Sequence, residues 1–329
     1  MYPTPRAMSA NRHAQPDNVA TEPVAVPPGS PRLPEDAEPL ETADAELVDA
    51  LPPPARREVR IGQHGFVRLV DAMPRLVQPG GLGPEAAIVQ AARVSYGAGT
   101  RTAQGDEALM RYLFRHAHMT PFEMVTLKWC VRAPLFTARQ WMRHRAGAFN
   151  EESARYSVVG TEFYAPEPRS VLAQSTTNRQ GTGAALQPEE VATFLADVDA
   201  AYADDRKTYG AALDSGVARE LARIVLPEGR YTTFYWTVSL RNLFGFLELR
   251  MDGAAQENIR EYAGAIYQVL GAYCPLARRA FDDYRREAVT LSALEIHALQ
   301  TGELPPEASA RERAEWALKR ARLGLPDPR

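Results

Sequence analysis

The chain reads as an α+β protein, a helix-rich single domain around a small, mainly antiparallel sheet. Three observations carry this. Several stretches repeat their apolar residues at helical spacing. Two segments alternate with a period of two or are rich in β-branched and aromatic residues. Strands and helices do not alternate as regular βαβ units, so a doubly wound parallel sheet is disfavoured.

The first 57 residues stand apart. They hold 12 of the 26 prolines and one aromatic, Tyr2. Pro27-Pro28 and Pro52-Pro53-Pro54 favour extended, solvated backbone, so residues 1–57 are expected to be a disordered leader. Ordered structure is expected from Val59, with residues 58–287 as the main folded domain and 288–329 as a helical extension.

Val67 to Val70 reads as a strand, and Glu85 to Arg93 as a helix burying Ile88 and Ala92. Leu109 and Leu113 predict an amphipathic helix from Asp106 to His116, with His116 in its packing pattern. Thr120-Pro121-Phe122-Glu123 fits a capping box. Val125, Leu127, Trp129 and Val131 then mark one face of a period-two strand, and Pro134 opens a helix. The polar stretch from Gln174 to Gly183 is expected to be a surface loop.

A long helix is predicted from Pro188 to Ser215, stopped by Gly216, and a short one from Val217 to Leu226. Tyr231 to Leu240 reads as a strand; Asn242 to Met251 and Glu257 to Tyr273 read as helices. Ser292 caps another helix, and the charged stretch from Glu307 to Leu323 is helical with Trp316 and Leu318 as its apolar contacts.

Apolar residues make up 45 %, enough for a sizeable core, and the net charge of −3 gives no sign of a generic nucleic-acid or membrane binder. No apolar run reaches transmembrane length. The two cysteines, Cys130 and Cys274, are too few for a disulfide framework and fit a reducing cytoplasm as packed residues. The histidines lack ligand spacing, so no metal site is expected.

Chemistry concentrates between Arg139 and Tyr156, where 18 residues hold four arginines, His144, Asn150, Glu151, Glu152 and Ser153. Burying charge is costly unless it is paired, and a guanidinium fork matches phosphate geometry. Anion capture by Arg143 and Arg145 is therefore the reading, against a self-paired, solvated helix end.

Arg143-His144-Arg145, seven residues, then Ser153 resembles the signature of the flavin-dependent thymidylate synthases. Ala138 to Trp141 and Asn150 to Tyr156 agree on either side. Four further blocks resemble the same family in the same order: Ala91 to Tyr96, His116 to Glu123, Ala222 to Pro227, and Phe246 to Arg250. The resemblance covers about Val59 to Tyr284 and implies a thymidylate synthase-complementing fold.

It also implies reductive methylation of dUMP to dTMP. The methylene comes from methylenetetrahydrofolate and the hydride from FADH2, with NADPH reducing the flavin. A homotetramer with inter-subunit active sites is implied, and no enzyme cysteine acts on the ring. Carried over by position, dUMP contacts fall on Gln140, Trp141, Met142, Arg143, Glu151, Glu152, Ser153, Ala154, Arg155, Arg223 and Arg250. Glu151 would lie near the sugar and Arg223 and Arg250 against the uracil, with Arg250 at the position of the family's catalytic residue. FAD contacts fall on Ser95, His118, Thr120, Glu123, Arg143, His144, Arg145, Glu151, Ser239, Leu240 and Arg241.

From the residues alone, Arg223 could instead pair with Glu220, and Arg250 with Glu248 or Asp252. Ser153 fits a phosphate contact better than a nucleophile, since no activating His–acid pair can be placed beside it. Three positions depart from the family pattern. Ala254 stands where a flavin-side His is usual, Gly245 where an Asn is usual, and Ala148 where a Ser is usual. They keep two rivals open: a flavin-dependent C5-modifying enzyme for another pyrimidine nucleotide, and a non-catalytic nucleotide-binding paralogue.

Overall fold

The sheet is built from strands whose alternate side chains are buried, and helices cover the apolar face. The computed structural model describes residues 47–94, 104–176 and 181–326. Most of the expected leader, and Ser95, lie outside them. The chain begins with β1 (Val48–Asp49), α1 (Pro54–Arg57), β2 (Glu58–Ile61), β3 (Gly65–Met73) and β4 (Leu76–Val77). Then come α2 (Ala86–Arg93), α3 (Gln104–Arg115), β5 (Thr126–Pro134), α4 (Leu135–Trp141) and β6 (Ala148–Glu151).

Next are β7 (Leu172–Gln174), β8 (Thr182–Ala185), α5 (Pro188–Asp214), α6 (Arg219–Ala222) and β9 (Tyr231–Ser239). The chain ends with α7 (Leu240–Arg250), α8 (Glu257–Tyr273), α9 (Pro275–Phe281), α10 (Ala293–Thr301) and α11 (Ala310–Arg322).

Five strands form the central sheet in the order β2-β3-β5-β9-β6, every pair antiparallel. The two long strands at its centre explain why periodicity found them. Leu127, Trp129, Val131 and Ala133 of β5 are all fully buried, as are Thr232, Phe234, Trp236 and Val238 of β9 to within 2 %. Trp129 lies directly opposite Trp236 in the register. Ile259, Tyr262, Ile266, Val269 and Tyr273 form the buried stripe of α8, at the helical spacing expected of a core-facing helix.

Several expectations need correcting. Order begins before Val59: β1 pairs with β4, and α1 precedes β2. Thr120 does not cap a helix. Ala117 is left-handed (φ 57°), and two residues on Met119 takes the N-cap position of a 3-10 helix that begins at Thr120. The expected loop from Gln174 to Gly183 is the connection of a small hairpin and is shorter than expected at its ends, since Gln174 closes β7 and Thr182 and Gly183 open β8. His116 is exposed and stands by Tyr112, ring centroids 4.4 Å apart, rather than packing in the core. In α11, Trp316 is buried but Leu318 is 73 % exposed.

Residues 46–329 form one unit, the C-terminal helices included. Lys319 of α11 clasps the buried Glu295 of α10 at 2.8 Å, and Arg322 donates to the Arg286 carbonyl at 3.2 Å. Among the described residues no helix is long and apolar enough to cross a membrane.

Candidate functional site

The arginine-rich segment sits where α4 stops. Pro134 is the N-cap of α4, and the helix ends at Trp141, leaving Met142 to Arg145 in the turn that leads to β6. Trp141 anchors that turn. It is fully buried, edge-on to Trp236 at 5.4 Å and against Phe246 of α7 at 4.8 Å. Such aromatic packing fixes the direction in which the following cations leave the surface. Leu240, like Trp141, is fully buried and Ala154 is 4 % exposed, so, against expectation, none of the three offers a ligand appreciable surface in this chain.

Arg250, the last residue of α7, reaches the same turn. Its Nε donates to His144 Nε2 at 2.8 Å, and its Nη2 donates to the Gln140 carbonyl at 3.4 Å. Gln140 in turn donates its side-chain amide to Gln256, the N-cap of α8. Neither Glu248 nor Asp252 pairs with Arg250; among the described residues it has no carboxylate partner, and neither have Arg143 and Arg145. Burial, followed by the charge of Arg143, pushes the Arg250 pKa down. Burial and then Arg250 push His144 down to about 4, so the imidazole is neutral. Unneutralised guanidinium groups drawn together in this way fit an anion.

A second group lies on and beyond β6. Glu151 accepts a hydrogen bond from the buried Thr232 hydroxyl at 2.6 Å. Glu152, pointing the other way along the strand, pairs with Arg230 at 3.3 Å and is thereby committed to a protein cation. Ser153 Oγ accepts from the Arg155 backbone N–H at 3.3 Å, while the Arg155 side chain meets Glu220 at 3.3 Å. Arg223 donates to the Glu220 carbonyl rather than to its carboxylate. Arg155 and Arg223 therefore share one partner residue, which brings α6 beside the β6 segment.

The residues assigned to flavin gather near the end of β9. Ser239 caps α7 by accepting from the Asn242 N–H at 3.4 Å, and Arg241 pairs with Glu123 at 2.5 Å. His118 and Thr120 are exposed, and Thr120 opens the 3-10 helix that carries Glu123. Gly245 lies one turn along α7 from Arg241, and a Cβ built there meets nothing within 4 Å. The open helix face and the unpaired guanidinium groups of Arg143 and Arg145 fit a planar cofactor carrying a pyrophosphate. Met142 packs partly against the core.

A cavity of about 570 Å³ lies elsewhere, between β2, α8 and the 163–170 segment. No predicted site residue lines it, and the carboxylates of Glu167, Glu257 and Glu261 give it the wrong charge for a phosphate ester. Both thiols are buried, and burial raises their pKa values, which leaves neither poised as a nucleophile. Among the described residues no group of three His, Cys, Asp or Glu is arranged for a metal ion.

Sequence reasoning missed Thr232 and Gln256. Thr232 hides in a strand that reads as plain core, and its partner lies 81 residues away. Gln256 lies 116 residues from Gln140, and no local pattern connects them.

A family model described as "Thymidylate synthase complementing protein" matches residues 75–276. A flavin-dependent thymidylate synthase of Dictyostelium discoideum is 46 % identical over 280 residues, covering 85 % of this chain and 92 % of that protein. One from Ruegeria pomeroyi is 49 % identical over 261 residues, covering 77 % and 83 %. Among solved structures, the UMP/dUMP methylase PolB of Streptomyces cacaoi bound with 5-Br UMP matches with a TM-score of 0.60 and 34 % identity. It covers 70 % of this chain and 98 % of that one. The same enzyme bound with 5-Br dUMP gives 0.60 and 32 %, covering 69 % and 99 %. Matched along most of its length, and carrying the arginine turn to which the end of α7 is hydrogen-bonded, this chain belongs to the flavin-dependent thymidylate synthase family.

Proposed function

We propose that the protein methylates dUMP to dTMP, with Arg250 as the catalytic residue. The observation that carries this is the setting of Arg250. It is held by two neutral acceptors, beside Arg143, and among the described residues neither arginine has a carboxylate partner. A guanidinium fixed in this way stabilises negative charge on the uracil edge as C5 becomes nucleophilic. Arg143, Ser153 and Arg155 hold the phosphate, Gln140 and Arg223 orient the nucleotide, and Glu151 takes a sugar hydroxyl. His118, Arg143, His144, Arg145, Ser239 and Arg241 hold FAD. When bound, reduced FAD supplies the hydride, the methylene comes from methylenetetrahydrofolate, and NADPH renews the reduced flavin.

Exposed apolar residues border the cations: Tyr156 at 81 %, Ile224 at 77 % and Leu249 at 62 %. Their exposure supports a homotetramer in which neighbouring subunits complete the site, since such side chains gain from leaving water.

The test is anaerobic mass-spectrometric detection of dTMP from dUMP with FAD, NADPH and methylenetetrahydrofolate. Product that disappears in Arg250→Ala is the expected result. No product from folded, flavin-loaded protein overturns the reading. The missing polar groups at Gly245 and Ala254 favour one alternative, a different pyrimidine nucleotide, so UMP belongs in the same assay. Tight dUMP binding without flavin would mark a non-catalytic paralogue.

A further inference from the structure

Glu151 is unusual among the charged residues of the site because no cation pairs with it among the described residues. It is the last residue of β6 and lies opposite Phe234 of β9. Thr232 is two residues from Phe234, so its side chain points to the same face, diagonal to Glu151. The Thr232 hydroxyl is fully buried and has one proton, which it donates to Glu151 Oε1 at 2.6 Å. The backbone is pinned as well: the N–H of Glu152 donates to the Thr233 carbonyl at 2.9 Å. The second carboxylate oxygen has no protein donor among the described residues and remains an acceptor.

A carboxylate repels phosphate and accepts from hydroxyls. Within a site otherwise rich in arginine, it selects the hydroxyl-bearing part of a nucleotide and rejects the phosphate end. We infer that Thr232 is a positioning residue that aims Glu151 at the 3′-hydroxyl of the substrate sugar, and so sets the direction in which the nucleotide lies. The inference rests on the proposed nucleotide site and adds to it a residue outside the signature blocks. A threonine hydroxyl suits this task better than a cation. It holds one oxygen in place without neutralising the carboxylate, which keeps the stronger, charge-assisted bond for the ligand.

The test is calorimetric binding of dUMP and of 2′,3′-dideoxyuridine monophosphate to the full chain, as wild type, Thr232→Val and Thr232→Ser. The wild type is expected to prefer dUMP. Thr232→Val, which keeps the branched shape, is expected to weaken dUMP by about tenfold while leaving the dideoxy analogue unchanged. Thr232→Ser should restore most of the preference. Equal weakening of both ligands in Thr232→Val would show a merely structural threonine and overturn the inference, as would unchanged binding. A wild type that binds dUMP but does not discriminate between the two removes Glu151 from the sugar. A wild type that binds neither overturns the nucleotide site itself.

Discussion

Arg250 Nε donates to His144 Nε2 across 2.8 Å, joining the end of α7 to the turn after α4 over 106 positions of sequence. The geometry requires His144 Nε2 to be an unprotonated acceptor, which places the proton of the neutral ring on Nδ1. A carboxylate in the same place would hold Arg250 more tightly but would cancel its charge. The neutral acceptor orients without neutralising.

This contact makes stability depend on pH. Burial and then Arg250 depress the His144 pKa from 6.5 to about 4. Above pH 6.5 the ring is neutral in both folded and unfolded chains. Between 6.5 and 4 the unfolded chain takes up a proton that the folded one resists, so stability falls as pH falls through that window. His144→Gln keeps a side-chain acceptor but does not titrate. Urea unfolding at pH 7.5 and pH 5 should show a smaller loss in the variant than in the wild type. An equal loss would mean that His144 protonates freely in the fold.

Glu85 titrates in the opposite sense. It is 1 % exposed and accepts from the Ala277 N–H at 2.6 Å, capping α9 from the start of α2. Burial raises its pKa from 4.5 to about 7, although the backbone donors of Ala277 and Leu276 pull it down. A folded pKa above the unfolded one costs stability as pH rises through the interval between them. Glu85→Gln keeps the acceptor without the charge. It should stabilise the protein by about 1–3 kcal/mol at pH 8 and by nothing comparable at pH 4.5. Thermal melts at the two pH values check this, and a variant less stable at pH 8 would contradict it.

Gly245 and Ala254 test where the proposed flavin lies. Gly245 is in the middle of α7 with open space where a side chain would go. Gly245→Ala should stabilise the helix by about 0.5–1 kcal/mol without affecting flavin. Gly245→Asn with Ala254→His should tighten FAD, measured by fluorescence quenching, if that face meets the cofactor. The alanine variant separates the two effects. Flavin affinity unchanged in the double variant would place the cofactor elsewhere.

Much of this could be read from the residues in order. The alternation of Leu127, Trp129 and Val131, the stripe from Ile259 to Tyr273 and the cap at Ser292 each obey a local period or a local motif, and each stands in the structure. The signature around Arg143 marked two cations that the structure keeps together, because Arg143 and Arg145 share the short turn between α4 and β6. The errors share a cause. Val48 and the short β7 and β8 bury too little to show a period, and Thr120 begins a 3-10 helix capped at Met119, a choice that no local motif marks.

Tertiary structure alone decided which of the candidate groups face one another. That Arg250 meets His144 rather than Glu248, that Glu152 is consumed by Arg230, and that Thr232 reaches Glu151 follow from sheet register and from the packing of α4 against the core. Local periods set which face of an element is buried. The partner across that face is chosen by long-range packing, and side-chain hydrogen bonds fall off within a fraction of an ångström, so no pattern along the chain encodes them.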